Sequence, residues 1–575
     1  MRFDIYRMMV SAAFLTFAAA ASAQNLDPTV VVDRAYEGRL MEVHKPALEM
    51  AVPDTVSRFD LDFDYSVFES PYKGSYEFNP YLLSMKPAAS ADGTRKLYLK
   101  AGAGYQLHPV LDVVYSPDLK VDDVRVDIYA KHRSFIGNYW NIERGETLDG
   151  MSLLDRMQPY DGAERTWTGY DLESCAGASG RGDWNGGYVD FGAGYYNLAS
   201  QDRGWNRSYN ALDAYMSLSS KTGHGRLLRY SVDAGYRMAH DAVRGLSLDK
   251  PSLMEYVYNV DASAEFGKIR VDVGFEGASY SEALAGGAFQ IYAVPHYLWT
   301  RGRLKADLGL RIAKIFDGNE GDGAYGAVDV EQIVYPDVNV EFVVLKDALK
   351  AFARLGGGNR INTYASLLKG NHHLNMTSGL GTGPLLDFDV ERVSVSAGVD
   401  GRIGSRMSCV LSGGLVNYAN GLLYQVPLQH ASTVVTEAGV GYASYSRMYA
   451  SFEWLWKDES VMFDGSVSYN TSWGDAFSDG SALLKPAALT GDVAFEYNWN
   501  RRIFGGVDCS FASARSSSIA RIPGYADLGV SAEFVTSRRL SFWLRGGNLL
   551  GMTIQRNPLY AEKGAYFTAG ICLNL

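Results

Sequence analysis

The sequence predicts an all-β protein: a large antiparallel transmembrane β-barrel of about 20 to 24 strands, preceded by a short N-terminal periplasmic or lumenal segment. Three observations carry this. Runs of about ten residues alternate between apolar and polar side chains through most of the chain. The connections between runs alternate between tight and long. Aromatic residues make up 13% of the 575 residues, 38 of them tyrosine, a load that favours strand over helix.

At the N-terminus, residues 1–23 combine a basic start (Arg2, Arg7), an apolar run from Val10 to Ala21 and the small-residue pattern Ala21-Ser22-Ala23 before Gln24, as in a Sec-type signal peptide. The run is short for a membrane helix, and no Cys follows the cleavage point to carry a lipid anchor. The mature chain is therefore expected to begin at Gln24, exported to the outer membrane of a Gram-negative cell. Residues 24–94 hold the acidic run Phe59-Asp60-Leu61-Asp62-Phe63-Asp64-Tyr65 and several prolines, among them Pro46, Pro53, Pro71, Pro80 and Pro87. This segment is expected to act either as a partial plug or as an extended polar strand at the periplasmic rim. Its carboxylates lack the spacing of a calcium loop.

From residue 95 to 575 the unit is a strand in period two, closed by Gly, Asn, Ser or basic residues. In Asp123 to Lys131 one face is Val124, Val126, Ile128 and Ala130, and the other Arg125, Asp127, Tyr129 and Lys131. Arg226 to Met238, Lys268 to Gly277 and Gly302 to Ala313 repeat the pattern, and Phe567 to Leu575 ends the chain in the same way. A soluble sandwich also alternates, but its strands average about five or six residues. The runs here reach the nine to eleven or so that a tilted strand needs to cross a bilayer. Tight connections are expected at Gly267-Lys268, Asn420-Gly421 and Ser537-Arg538-Arg539. Long ones are expected at Ser134 to Glu164, Asn359 to Asp387 and Gly474 to Leu489, giving one rim of turns and one of loops.

The strand registers place Arg125, Asp127, Lys131, Arg229, Asp233, Arg237, Asp261, Glu265, Arg270, Asp272, Glu276, Arg303, Lys305, Asp307 and Arg311 on the lumen face, with both signs interleaved. Such charges either tune passage through a wet pore or form cross-strand ion pairs that hold the wall. Tyr139, Trp140, Trp205, Trp299, Trp454 and Trp456 suit interfacial girdles or sugar-stacking loops.

Catalytic motifs are sparse. His132 and Ser134 share a strand face and would form an acylhydrolase pair facing lipid, without an identified carboxylate to orient the His. His372 and His373 are adjacent, so in an extended chain they point apart and share no ion. Cys175, Cys409, Cys509 and Cys572 are too scattered for a disulfide framework or a zinc site. No catalytic set, metal site or cofactor is expected. A net charge of −11 argues against nucleic acid as a partner.

The C-terminal stretch, from Ile522-Pro-Gly-Tyr-Ala-Asp-Leu-Gly-Val through Gly547-Asn-Leu-Leu to Tyr566-Phe-Thr-Ala-Gly-Ile-Cys-Leu-Asn-Leu575, resembles the end of TonB-dependent receptor barrels. Lys45-Pro46, Phe78-Asn79-Pro80-Tyr81 and Arg95-Lys-Leu-Tyr-Leu are similar to receptor-like barrels of Bacteroidota. The resemblance implies passage or uptake of a small-molecule or oligomeric solute, outer-membrane lipid around the barrel, and TonB or another periplasmic or surface protein as partner. Two departures stand beside it: residues 24–94 are shorter than the family's globular plug, and no energy-coupling box is found near Gln24. A partner-binding scaffold and a lipid A-modifying hydrolase are the alternative readings.

Overall fold

The computed structural model describes residues 96–119, 123–145, 155–159, 165–201, 205–221, 228–245, 252–317, 332–374, 385–426 and 439–575. The expected signal peptide and the segment 24–94, with its acidic run, lie outside the described residues.

Strands run in chain order as β1 (Leu97–Gly104), β2 (Val110–Tyr115), β3 (Val124–Trp140), β4 (Ile142–Gly145), β5 (Asp155–Pro159), β6 (Thr166–Trp184), β7 (Gly187–Gln201), β8 (Asn206–Ser220) and β9 (Leu228–Arg244). They continue as β10 (Ser252–Phe266), β11 (Ile269–Glu282), β12 (Gly286–Arg301), β13 (Leu304–Asp317), β14 (Val334–Leu345), β15 (Leu349–Ile361), β16 (Phe388–Ile403), β17 (Met407–Gln425) and β18 (Gly439–Lys457). The last are β19 (Val461–Trp473), β20 (Leu489–Trp499), β21 (Ile503–Ala512), β22 (Arg515–Ser516), β23 (Ala520–Ile522), β24 (Tyr525–Val535), β25 (Leu540–Gly547) and β26 (Tyr566–Asn574).

All but β4, β5, β22 and β23 belong to one closed sheet of 22 antiparallel strands, in which β26 returns to pair with β1 through Leu99↔Leu573 and Lys100↔Cys572. Closure satisfies every edge, the condition for a sheet to survive in lipid. The apolar half of each period-two run faces outward and stays exposed, as with Val271, Val273, Leu308, Leu310, Ile312 and Leu411. No described helix is long and apolar enough to cross a membrane.

Three expectations need correcting. Strands exceed the expected nine to eleven residues, reaching 19 in β6, because they continue past the hydrocarbon layer to carry one rim. Asn420-Gly421 is not a turn but lies inside β17, at a break in register between Tyr418 and Gly421 that bends the strand. Strand pairing also runs to Trp140 and to Ile361, so the long connections start later than Ser134 and Asn359.

The rim that holds Leu97 and Asn574 carries the turns. Gly267 and Gly302 take positive φ there (64° and 61°), which lets their hairpins close without a Cβ clash. The opposite rim carries the long connections, and the described parts of several of them pack together or against the wall. β4 and β5, from the β3–β6 connection, form a small sheet with β22 and β23, from the β21–β24 connection. Ile142, Ile522, Leu484 and Leu559 pack together around it. In the β15–β16 connection a short helix, α1 (Tyr364–Gly370), enters the barrel.

Candidate functional site

Helix α1 starts at Thr363, whose side-chain oxygen accepts from the Ser366 amide while Ser366 Oγ accepts from the Thr363 amide. Tyr364, Leu367 and Leu368 then fall at i, i+3 and i+4 and form one apolar stripe, at most 1% exposed. The stripe packs on inward residues at the loop end of the wall, among them Leu198, Ala211, Ala239, Val243, Leu253 and Ala278.

A buried polar network pins this helix. The side chains of Arg207 (β8) and Asp241 (β9) are fully buried and pair at 3.0 Å. Arg207 also donates to the carbonyls of His372, at 2.6 Å, and Leu374, closing the segment after α1. The Tyr364 hydroxyl donates to Asp241 at 2.5 Å. Glu255 (β10), wholly buried, accepts from the hydroxyls of Tyr209 and Tyr280, both at 2.9 Å, and from the Ala365 amide at 3.1 Å. Arg207 and Glu255 thus meet several partners each, the condition for keeping a charge out of water, while Asp241 takes both of its donors on Oδ2 and its Oδ1 is buried without a hydrogen-bond partner.

Beyond α1 the two histidines part, as adjacency predicts. His372 Nδ1 lies 3.2 Å from Asp171 Oδ1, while the His373 ring stacks on Tyr560 at 3.9 Å between centroids. Burial alone would lower the His372 pKa, but the Asp171 charge and hydrogen bond outweigh it and raise it. Burial pushes His373 down to about 3. Lys563, in the β25–β26 connection, is also lowered by burial, and it sits 4.2 Å from the Tyr566 ring centre and 3.2 Å from His108 Nε2.

Toward the turn rim the wall is charged. Arg270 reaches Asp272 at 3.0 Å and Asp307 at 2.9 Å, and His296 joins the same two carboxylates at 3.1 and 2.7 Å. Gly309 makes room for this: a Cβ there would stand 2.5 Å from the His296 ring. Arg229 pairs with Glu265 at 3.2 Å and Arg237 with Asp213 at 2.5 Å. Arg311 lies over the Tyr292 ring at 3.9 Å, and Glu276 accepts from Gln290. Asp127 accepts from Ser116. By register Arg125 stands opposite Arg181, Lys131 opposite Asp112, Asp233 opposite Asp261, and Lys305 opposite Glu341. Arg303 lies in the β12–β13 turn and donates to the Val344 carbonyl at 3.2 Å. Arg270, Asp272 and Asp307 form one cluster, and Asp261 and Arg311 meet at Tyr292, whose hydroxyl donates to Asp261 while its ring lies under Arg311; the others make separate contacts around the wall.

Arg207, Asp241, Glu255 and Tyr364 were not among the residues singled out by sequence. A signal for them existed in the Thr363-to-Leu368 stretch, where a cap precedes an i, i+3, i+4 apolar triplet inside a supposed loop. His132 lies between two serines, its Nδ1 2.7 Å from Ser174 Oγ and its Nε2 3.0 Å from Ser134 Oγ, so neither ring nitrogen meets a carboxylate. Trp205 is not in a girdle: it is 8% exposed, within the packing around α1, where it approaches His373 and Arg207. The four cysteines are free.

Comparison with known proteins turns on the barrel. The copper transporter OprC superposes with a TM-score of 0.56 at 11% identity, over 84% of this chain and 80% of that one. The barrel has the fold of TonB-dependent receptors. The siderophore receptor PiuA of Acinetobacter baumannii gives 0.57 at 8% identity over 84% and 82% of the two chains. A double mutant of the hemophore receptor HasR of Serratia marcescens, in complex with its hemophore HasA and heme, gives 0.56 at 12% identity over 84% and 81%. No family model and no curated protein matches the sequence. At these identities the likeness establishes the receptor fold.

Proposed function

We propose that the chain is an outer-membrane barrel for uptake or passage of a solute, exported by the signal peptide 1–23. The observation that carries this is a closed 22-strand barrel with an apolar outer face, whose helix α1 packs against the inner wall at the loop rim. The loop rim is the cell-surface side and the turn rim the periplasmic side. The fold neighbours described as a copper transporter, a siderophore receptor and a hemophore receptor support a solute as cargo. Residues 24–94 act as a partial plug, and TonB or another periplasmic protein is the partner that the C-terminal resemblance supports. Charges such as Arg237, Arg270, Asp307 and Arg311 line the path.

The test is single-channel conductance in a planar bilayer, comparing the mature chain with one lacking residues 24–94. Larger openings after truncation support the plug, and large steady openings in both chains mean a diffusive pore. Silence in both, together with no solute entry into liposomes, sinks the passage reading.

A further inference from the structure

On the four neighbouring strands β3, β6, β7 and β8 the inward residues form a grid in register. One row runs Tyr129, Gly177, Gly194 and Asp213, and on to Arg237 of β9. The next row toward the turn rim runs Asp127, Ser179, Gly192, Tyr215 and Gly235, and the one after it Arg125, Arg181, Asp190, Ser217 and Asp233. The two tyrosines reach toward each other across the glycines. A Cβ on Gly177 or Gly194 would stand 2.8 or 2.9 Å from the Tyr129 hydroxyl oxygen, and one on Gly192 would stand 2.5 Å from the Tyr215 ring. Glycine at these positions lets both side chains lie along the wall, where a larger residue would lift them off it. Tyr215 is 49% exposed, so its other face is open to the lumen.

An ion pair bounds this platform on each side. Toward the loop rim Arg237 holds Asp213 through Nε at 2.5 Å and Nη2 at 3.2 Å. Toward the turn rim Arg181 holds Asp190 through Nε at 2.5 Å and Nη2 at 2.8 Å. The two pairs stand about 13 Å apart along the strands, and the platform is about 14 Å wide from β3 to β8. All four charged side chains remain partly exposed. Each guanidinium therefore keeps N–H groups to donate and each carboxylate keeps lone pairs to accept, while each pair is neutral as a unit.

A charged solute would have to break one of these pairs to gain from it. A planar aromatic solute would stack but leave the donors and acceptors at the edges unused. A pyranose with equatorial hydroxyls uses both: its C–H face lies on an aromatic ring, and its hydroxyls point outward in the plane of the sugar, where adjacent ones meet an N–H and a carboxylate oxygen together. We propose that this platform binds an oligosaccharide of equatorially substituted pyranoses, stacked on Tyr129 and Tyr215 and hydrogen-bonded at its edges to the Arg181/Asp190 and Arg237/Asp213 pairs. This rests on the solute-uptake reading and names the class of solute.

The test is calorimetric titration of the purified mature chain with cellotetraose, in a detergent without a sugar headgroup. Saturable binding is expected. Tyr215→Ala and Tyr129→Ala should each weaken it at least about tenfold, and Tyr215→Phe, which keeps the ring, should stay within about twofold of the parent. Asp190→Asn should weaken it about threefold or more by loosening one edge. Sorbitol, which has the hydroxyls without the ring, and catechol, which has a ring without the C–H face, should not compete. Retained heat-modifiable gel mobility shows that each variant is folded. No binding, binding unchanged by both alanine substitutions, or displacement by catechol overturns the proposal. Liposome swelling in glycine separates the two claims. Glycine entry without cellotetraose binding leaves uptake standing and removes this site, and tyrosine-dependent binding without entry of either solute keeps the site and removes uptake.

Discussion

The same strands build two different interiors. In β9 the inward residues Arg229, Asp233 and Arg237 near the turn rim give way to Ala239 and Val243 near the loop rim, with Asp241 between them fully buried. In β11 the change runs from Arg270, Asp272 and Glu276 to Ala278 and Tyr280, and in β13 from Lys305, Asp307 and Arg311 to Ala313. Charges on the first half remain partly exposed, so their pairs are worth little individually. Small apolar residues on the second half leave room for α1 and bury it. The barrel thus keeps a protein-like core at one end and a wet, charged wall at the other.

Substitutions in the packed half should therefore cost far more than those in the charged half. Arg207→Met should be the most damaging, removing about 3–5 kcal/mol from the docked state of α1 because Asp241 is left buried without its cation. Faster hydrogen exchange of amides 364–374 would report it. Leu367→Ala should follow, at about 2–5 kcal/mol for a buried leucine with no room to relax, read by the same exchange. Tyr364→Phe removes one hydrogen bond to a carboxylate and should cost about 1.5–3 kcal/mol. Arg237→Ala, whose ion pair is more than a third exposed, should change stability by less than about 1 kcal/mol while shifting ion selectivity in a bilayer.

The histidines after α1 sharpen the comparison through pH. The His372 pKa is raised in the folded protein, so its contribution is complete below the ordinary value of 6.5 and is lost as pH rises through the raised value. His373 is held down at about 3, so its contribution is present above 6.5 and is lost as pH falls from there. Protection of amides 364–374 should therefore peak near neutrality. His373→Asn should flatten the acid limb and His372→Asn the alkaline one. Limbs unchanged by both substitutions would mean that other groups set the pH response.

The barrel was legible in the sequence because period two is a local property: Leu304 to Ile312 against Lys305 to Arg311 declares its two faces without knowledge of any neighbour. The closure of β26 on β1 follows once the strands are counted as hairpins. The packed half was less visible. Ala239, Val243, Ala278 and Tyr280 keep the period but change the chemistry of the inward face, and that change has meaning only when a distant segment arrives to cover it. Arg207 and Tyr364 are 157 residues apart, and no spacing rule joins them. Asn420-Gly421 misleads for a related reason, since Asn420 Nδ2 donates to the Phe388 carbonyl and Leu422 N to Asp389, contacts that hold a bend inside a strand where the dipeptide alone signals a turn.

Helix α1, packed against the wall at the loop rim, is expected to narrow the lumen at that end. Single-channel conductance tests it most directly, in a chain lacking residues 24–94, with and without replacement of residues 363–386 by a short Gly-Ser linker. The account predicts a severalfold rise in conductance when α1 is gone. Equal conductance in the two chains, both folded by heat-modifiable mobility, would contradict it.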